Sequence, residues 1–306
     1  MQQEKILIIK FGGLGDVMLS LDAFFSICTH HKNKQIILLT ENPFNNIIKK
    51  CELFYDIITI KRGLFYFIDL IQIKKKIKFF VFSHVYDLQT SRRSSFYLKH
   101  FYKNGAITNG IGTYATIPHL NSKRNLMHTI ERQQDQLRMC DIKFTKMKNY
   151  KWLIDLNINI PNGRFALIVP GGSKNRPYKR IPQEVFFKVI KLLLKKNIKP
   201  VLIGANDDKE ICDKLASSSS EVLNLCSKTS VGNIYLLSKK SLLSLGNDTG
   251  PMHVIAKGNN KTLVLFTKYT NANLCKPVGK NVEILNYKQS NEDLFFRIKN
   301  TIVKIV

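Results

Sequence analysis

Short apolar runs alternate along this chain with longer segments whose apolar residues return every three or four positions. The runs at residues 5–10, 35–40, 56–60, 79–83, 165–170, 200–204, 241–245 and 262–267 predict strands. The segments 17–31 and 183–197 predict helices, and Val17, Leu21, Phe24, Phe25 and Cys28 mark one face of the first. This alternation predicts an α/β fold of parallel sheets flanked by helices. It restarts after Asp155–Arg164, a turn-rich stretch that reads as an interdomain linker. Two domains are expected, residues 1–158 and 159–306, because one core rarely serves 306 residues. Asn291–Val306 predicts a final helix.

Two strand-to-helix turns carry candidate chemistry. In the first, the run Lys5–Lys10 breaks at Gly12, Gly13 and Gly15 before Asp16 opens a helix. Glycines permit a sharp turn and close approach of a ligand. Their spacing fits neither a dinucleotide fingerprint nor a P-loop. Asp16 stands at the carboxyl end of a first strand, where open α/β sheets collect ligands, although a helix cap also takes an aspartate there. In the second, Ser241–Leu245 runs into Gly246-Asn247-Asp248-Thr249-Gly250-Pro251-Met252-His253. Here Thr249 or Gly250 caps a helix with Pro251 at its start. Such a start offers backbone N–H groups to a phosphate, or is simply an ordinary capped helix.

Charge and cysteines narrow the class. The net charge of +26 favours polyanionic partners, unless it reflects only a lysine-rich composition. The basic residues are spread end to end without a zinc-finger, RNP or basic-zipper pattern, so nucleic acid is not expected as a partner. Cys28, Cys51, Cys140, Cys212, Cys226 and Cys275 form no C-x-x-C pair, which suits reduced cytoplasmic thiols. Met1-Gln2-Gln3-Glu4 leads straight into a strand, so no targeting peptide is expected. The nearly apolar run Leu64–Ile73 includes Asp69 and is too short to span a bilayer. Lys74, Lys75, Lys76 and Lys78 beside Leu64–Phe67 have the make-up of a membrane-surface patch, or of a helix with one wet basic side. No metal-ligand spacing occurs, and no cofactor is expected.

Taken in order, several pieces resemble the ADP-heptose glycosyltransferases of lipopolysaccharide synthesis, glycosyltransferase family 9. They are Gly12–Val17, Tyr86-Asp87-Leu88-Gln89 with Ser91–Ser94, His128-Thr129-Ile130-Glu131-Arg132, Pro170–Ser173 leading to Lys179–Pro182, and Gly246–His253. The resemblance implies a GT-B fold, two Rossmann-like domains facing across a cleft, with the last helix packing back on the first domain. It implies an inverting transferase moving a heptose from ADP-heptose to a lipid A-linked core oligosaccharide. That enzyme is expected in the cytoplasm, peripherally attached to the anionic inner face of the inner membrane. A relative using another nucleotide sugar or acceptor, or a non-catalytic basic binding protein of the same fold, is the alternative.

The resemblance also distributes roles. Asp16 takes the position of the catalytic base, and no second carboxylate is placed as a nucleophile. Donor contacts fall to Ser173, Lys179, Asp248, Thr249, Gly250, Met252 and His253, with Lys179 a point charge on the diphosphate. The ribose contact falls to Asp208 by spacing or to Glu210 by residue type. Acceptor contacts are expected from the first domain: Gly13, Gly15, Arg62, Arg92 and Arg93, the arginines suiting carboxylate or phosphate groups. One departure stands out, since Ile181 occupies the place of the family's tryptophan.

Overall fold

A computed structural model describes residues 3–287 and 290–305. Met1 and Gln2, and Val306 at the end of the expected final helix, lie outside the described residues. The chain divides into two units, Met1–Trp152 and Leu153–Val306.

In the first unit the strands are β1 (Lys5–Ile9), β2 (Gln35–Thr40), β3 (Asp56–Thr59), β4 (Phe82–Asp87), β5 (Ile107–Gly110) and β6 (Ile117–Pro118). Its helices are α1 (Leu14–His30), α2 (Phe44–Lys49), α3 (Tyr66–Lys76), α4 (Arg92–Lys103) and α5 (Thr129–Arg138). The sheet runs β3-β2-β1-β4-β5-β6 with all pairs parallel. Its central strands are apolar on both faces because helices cover both sides, and Ile6, Leu7, Ile8 and Ile9 are wholly buried.

The second unit repeats the plan. Its strands are β7 (Phe165–Val169), β8 (Lys199–Leu202), β9 (Leu223–Asn224), β10 (Leu243–Asn247), β11 (Lys261–Phe266) and β12 (Val282–Asn286). Its helices are α6 (Gln183–Lys195), α7 (Lys209–Ala216), α8 (Val231–Lys240), α9 (Gly250–Ile255), α10 (Ala272–Cys275) and α11 (Asn291–Ile305). The order β12-β11-β10-β7-β8-β9 is again all parallel. Counted within each unit, both sheets read 3-2-1-4-5-6, the order of a dinucleotide-binding fold.

Four details differ from the sequence reading. The strand expected at 79–83 lies at Phe82–Asp87 instead, because β1 pairs with that stretch and leaves Phe79 and Val81 exposed. His84 and Asp87 interrupt its apolar pattern and hid it. The unit boundary falls ahead of 158: Asp155 belongs to the second unit, where its carboxylate accepts from Ser230 and its carbonyl from Asn233. The helix expected from residue 17 starts at Leu14, directly after the glycine turn. Finally, the last helix, expected to pack on the first domain, spends one face on its own unit. Leu294, Ile298 and Ile302 form one stripe on α11, spaced by four, and that stripe is buried in the second unit's core against α6.

Candidate active site

Each unit gathers its chemistry where its first and fourth strands end, so the two sites are built up separately. In the first unit β1 ends at Ile9 and the chain turns at Gly12, whose φ of 112° is open only to glycine. A Cβ there would also stand 2.8 Å from the Asp16 carboxylate. Gly13 is the N-cap of α1, and its N–H donates to Asp16 Oδ2 at 3.1 Å. Asp16 is therefore both a capping carboxylate and an exposed one. The cap fixes its orientation without consuming its second oxygen. Gly13 is exposed and Gly15 partly so on the same turn.

Asp16 borders a hollow of about 120 Å³ shared with Lys10, Gln89, Thr90, Arg132 and Gln136. Lys10 is buried, and its Nζ donates to Leu88 O at 3.3 Å. Burial pushes its ammonium pKa down, and the Asp16 and Asp87 carboxylates pull against that shift. Asp87 is wholly buried on β4, its Oδ1 accepting from the N–H groups of Gln89 and Thr90 at 3.0 Å each. Burial pushes its carboxyl up to about 6 against those bonds. Gln136 reaches in from α5 and donates to Asp87 O and Asn109 Oδ1, both at 2.9 Å. Burial lowers the Arg132 pKa, and Asp16 opposes this.

Lys10, Arg132 and Asp87 were not singled out as site residues from the sequence. A lysine closing an otherwise apolar strand, and an arginine in a stretch already quoted for its resemblance, were the available signals.

The expected acceptor arginines are partly engaged elsewhere. Arg62 pairs with Glu41 at 2.6 Å and lies over the Phe11 ring. Arg93 donates to Gly63 O at 2.8 Å and stacks over Tyr66, 4.5 Å from the ring centroid. Both hold the loop before α3. Arg92 is exposed at the start of α4.

In the second unit, β10 ends at Asn247, Asp248 follows, and Thr249 is the N-cap of α9, with Gly250 first and Pro251 second in the helix. Lys179 Nζ lies 2.6 Å from Asp248 Oδ2, so two expected donor residues meet as an ion pair, its carboxylate nearly buried. The Thr249 hydroxyl is buried without a hydrogen-bond partner. Met252 is wholly buried and its N–H already donates to Thr249 O at 3.1 Å. His253 is buried one residue further along. Ser173 is exposed on the loop after β7.

That loop is clamped from two sides. Asn247, fully buried, donates to Pro170 O at 2.6 Å and Gly171 O at 3.0 Å and accepts from the N–H of Ile181 at 3.2 Å. Asp208 accepts from Gly172 N at 2.8 Å and Ala205 N at 3.0 Å. A Cβ on Gly171 would fall 2.0 Å from that carboxylate, so glycine is required by contact rather than by φ. Asp208, expected at the ribose, is thus turned into the protein to join two loops. Glu210 is exposed at the start of α7. Ile181 is buried in the unit's core, so its departure from the family pattern falls on packing. Among the described residues, no three His, Cys, Asp or Glu side chains gather to hold a metal ion.

Comparison with known proteins follows these features. The model of glycosyltransferase family 9 (heptosyltransferase) matches residues 118–303, more than half of the chain. Among curated proteins, none matches. Several solved structures share the fold. A family 9 glycosyl transferase from Veillonella parvula DSM 2008 is 18% identical with a TM-score of 0.77, covering 100% of this chain and 91% of that one. The E. coli ADP-heptose lps heptosyltransferase II is 16% identical with a TM-score of 0.76, covering 98% of both chains. The E. coli heptosyltransferase WaaC, solved with ADP, is 18% identical with a TM-score of 0.75, covering 99% of this chain and 100% of that one. The α/β architecture of two Rossmann-like units is that of these GT-B structures, and the chain belongs to glycosyltransferase family 9, the heptosyltransferases.

Proposed function

We propose that the protein transfers a heptose from ADP-heptose to a lipid A-linked inner-core sugar, inverting the sugar carbon. The observation that carries this reading is the Asp16 carboxylate, exposed yet held by Gly13 N–H beside buried Lys10 and the Arg132 guanidinium. A general base needs a free oxygen held in a fixed direction, within reach of the proton it takes. Asp16 has both. It accepts the proton of the acceptor hydroxyl while that oxygen displaces the diphosphate in one step. Arg132 and exposed Arg92 meet the acceptor's anionic groups.

The second unit holds the leaving group. Lys179 moves its charge from Asp248 to the diphosphate, the buried Thr249 hydroxyl gains a partner, and Asp248 orients the sugar. With Asp208 committed to the loops, Glu210 is the carboxylate left to face the ribose. The WaaC structure with ADP supports an ADP-linked donor. The acceptor is carried by a lipid, so the enzyme works at the cytoplasmic face of an anionic membrane. No helix among the described residues is long and apolar enough to cross one.

The test is product mass. ADP-heptose with a lipid A-linked core acceptor is expected to yield the heptosylated product with ADP released. Turnover only with a different nucleotide sugar would replace the donor assignment. Loss of no activity in Asp16→Asn would remove the base.

A further inference from the structure

Helix α3 sets Asp69 beside Leu70 and Ile73 on its core-facing side and still leaves other apolar residues in solvent. The side facing the unit's interior carries Asp69, wholly buried, which accepts from Gly63 N at 2.8 Å and from the Tyr97 hydroxyl at 2.5 Å. Arg93 lies 3.4 Å from the same carboxylate. These bonds lock the helix rotation, because releasing Asp69 would strand a buried charge. The side left in solvent is apolar: Phe67, Ile68 and Ile71 are all exposed, and Phe67 stacks on Phe65 at 5.7 Å. Leu64 just before the helix is 82% exposed, and Phe79 and Val81 after it are 83% and 77% exposed. An ordinary surface helix presents polar residues at such positions. Exposed apolar side chains gathered in this stretch mark a docking surface.

Charge identifies what docks. Lys74, Lys75, Lys76 and Lys78 follow the apolar face in sequence and are all exposed. Between the ends of α3 and α4 lies a hollow of about 350 Å³, its walls including Ile77, Phe80, Phe82 and Phe101 and its rim Lys74 and Lys78. Aromatic and aliphatic side chains beside a lysine cluster match the interface of an anionic bilayer, with acyl chains below and phosphates above. At about 16 Å for eleven residues, α3 lies in that interface and does not cross it.

We propose that the outer face of α3, with Phe79 and Val81, seats this protein on anionic lipid. The purpose of the seat rests on the transferase reading, but its existence is measured separately.

Co-sedimentation with phosphatidylglycerol vesicles is the first measurement, against phosphatidylcholine vesicles and against raised salt. The parent is expected to prefer the anionic vesicles by at least about tenfold, and salt is expected to weaken that preference. Phe67→Ser with Ile71→Ser, and separately Lys75→Gln with Lys78→Gln, are each expected to lower vesicle binding about tenfold or more. Both should melt near the parent and keep its turnover on a deacylated, water-soluble acceptor. Phe67→Trp should show a blue-shifted emission component only with anionic vesicles, over the baseline of Trp152, the chain's single native tryptophan. Equal binding to both vesicle types, unchanged binding by both variants, or a serine variant that instead dissociates a dimer would overturn the proposal. If the parent turns over no acceptor yet loses vesicle binding with the serine variant, the seat stands and the transferase reading fails.

Discussion

The two units share one strand order, yet the turns at their first and fourth strands are built in opposite ways. In the first unit, β1 ends in a glycine turn whose only committed carboxylate contact is Gly13 N–H to Asp16, leaving an anion in solvent above a buried lysine. In the second unit, β7 and β10 end in loops fastened by buried Asn247 and Asp208, and the charge offered is Lys179, held in reserve by Asp248. In the proposed mechanism one turn presents the base and the other a rigid seat with a movable cation. Because the topology is the same, the difference lies in the residues at the switch points and not in the fold.

The sharpest way to break this contrast is Asp16→Asn. Asparagine keeps the size and can still accept from Gly13 N–H, so the melting temperature and ADP binding are expected to stay near the parent's. Turnover is expected to fall at least about a hundredfold, the low end of a general base's contribution. Steady-state kinetics beside a melt with ADP separates the outcomes. A variant that unfolds makes Asp16 chiefly a cap, and one with full turnover moves the base elsewhere.

Next in size is the clamp. Asp208→Ala removes the acceptor of two backbone N–H groups, and leaving such buried donors unsatisfied costs roughly 1–3 kcal/mol each. The second unit should therefore lose stability, measured by denaturant unfolding. Gly171→Ala is expected to be severely destabilising alone, since its Cβ would overlap the Asp208 carboxylate. Combined with Asp208→Ala, which removes the obstacle, it should cost much less than the sum. Simple additivity would show that Asp208 does not shape this loop.

Lys179→Ala tests the movable cation. Binding of ADP is expected to weaken about tenfold, with a charged hydrogen bond contributing on the order of 1.5–3 kcal/mol before the Asp248 contact it leaves is counted. Asp16→Asn should not share this loss. Equal weakening in both variants would erase the division of labour between the units.

How much of this was legible beforehand follows from the same physics. Central strands were found because burial on both faces makes them continuously apolar, as in Phe165–Val169. The edge strands β6, β9 and β12, and β5 beside the edge, escaped, being short or half-exposed, and β4 was misplaced because its His84 and Asp87 break the run. Glycine turns announced both sites. Yet residue type does not tell that Asp208 and Arg93, with the chemistry of ligand contacts, also bond backbone groups. Lys10 escaped for the converse reason, since a lysine at a strand end usually marks the return to solvent. Nor does the sequence of α3 tell that Asp69 enters the core beside Ile73 while Phe67 stays in solvent.

The smallest effect concerns the opposite ends of the sheets. At the amino ends of β1 and β4 the first unit gathers His30, His31 and His84 with Glu4 and Lys34 nearby, while residues near the amino ends of β7 and β10 include Arg164, Lys239 and Lys240. Only the first group contains histidines. Burial, then the charges of His30 and His84, push the His31 pKa down to about 4, and its Nε2 lies 2.8 Å from the Tyr86 hydroxyl. A histidine whose pKa is depressed on folding is protonated first in the unfolded chain. Its contribution is therefore complete above about pH 6.5 and is lost as pH falls from there through about 4. Trp152 reports on the first unit, its indole donating to Asn149 O at 3.1 Å. Its emission should thus follow an acid-sensitive transition, and His31→Gln, which keeps a partner for Tyr86, should flatten that transition between pH 6.5 and 4. The same slope in parent and variant would place the acid sensitivity on other groups, with His84 and its depressed pKa next to be replaced.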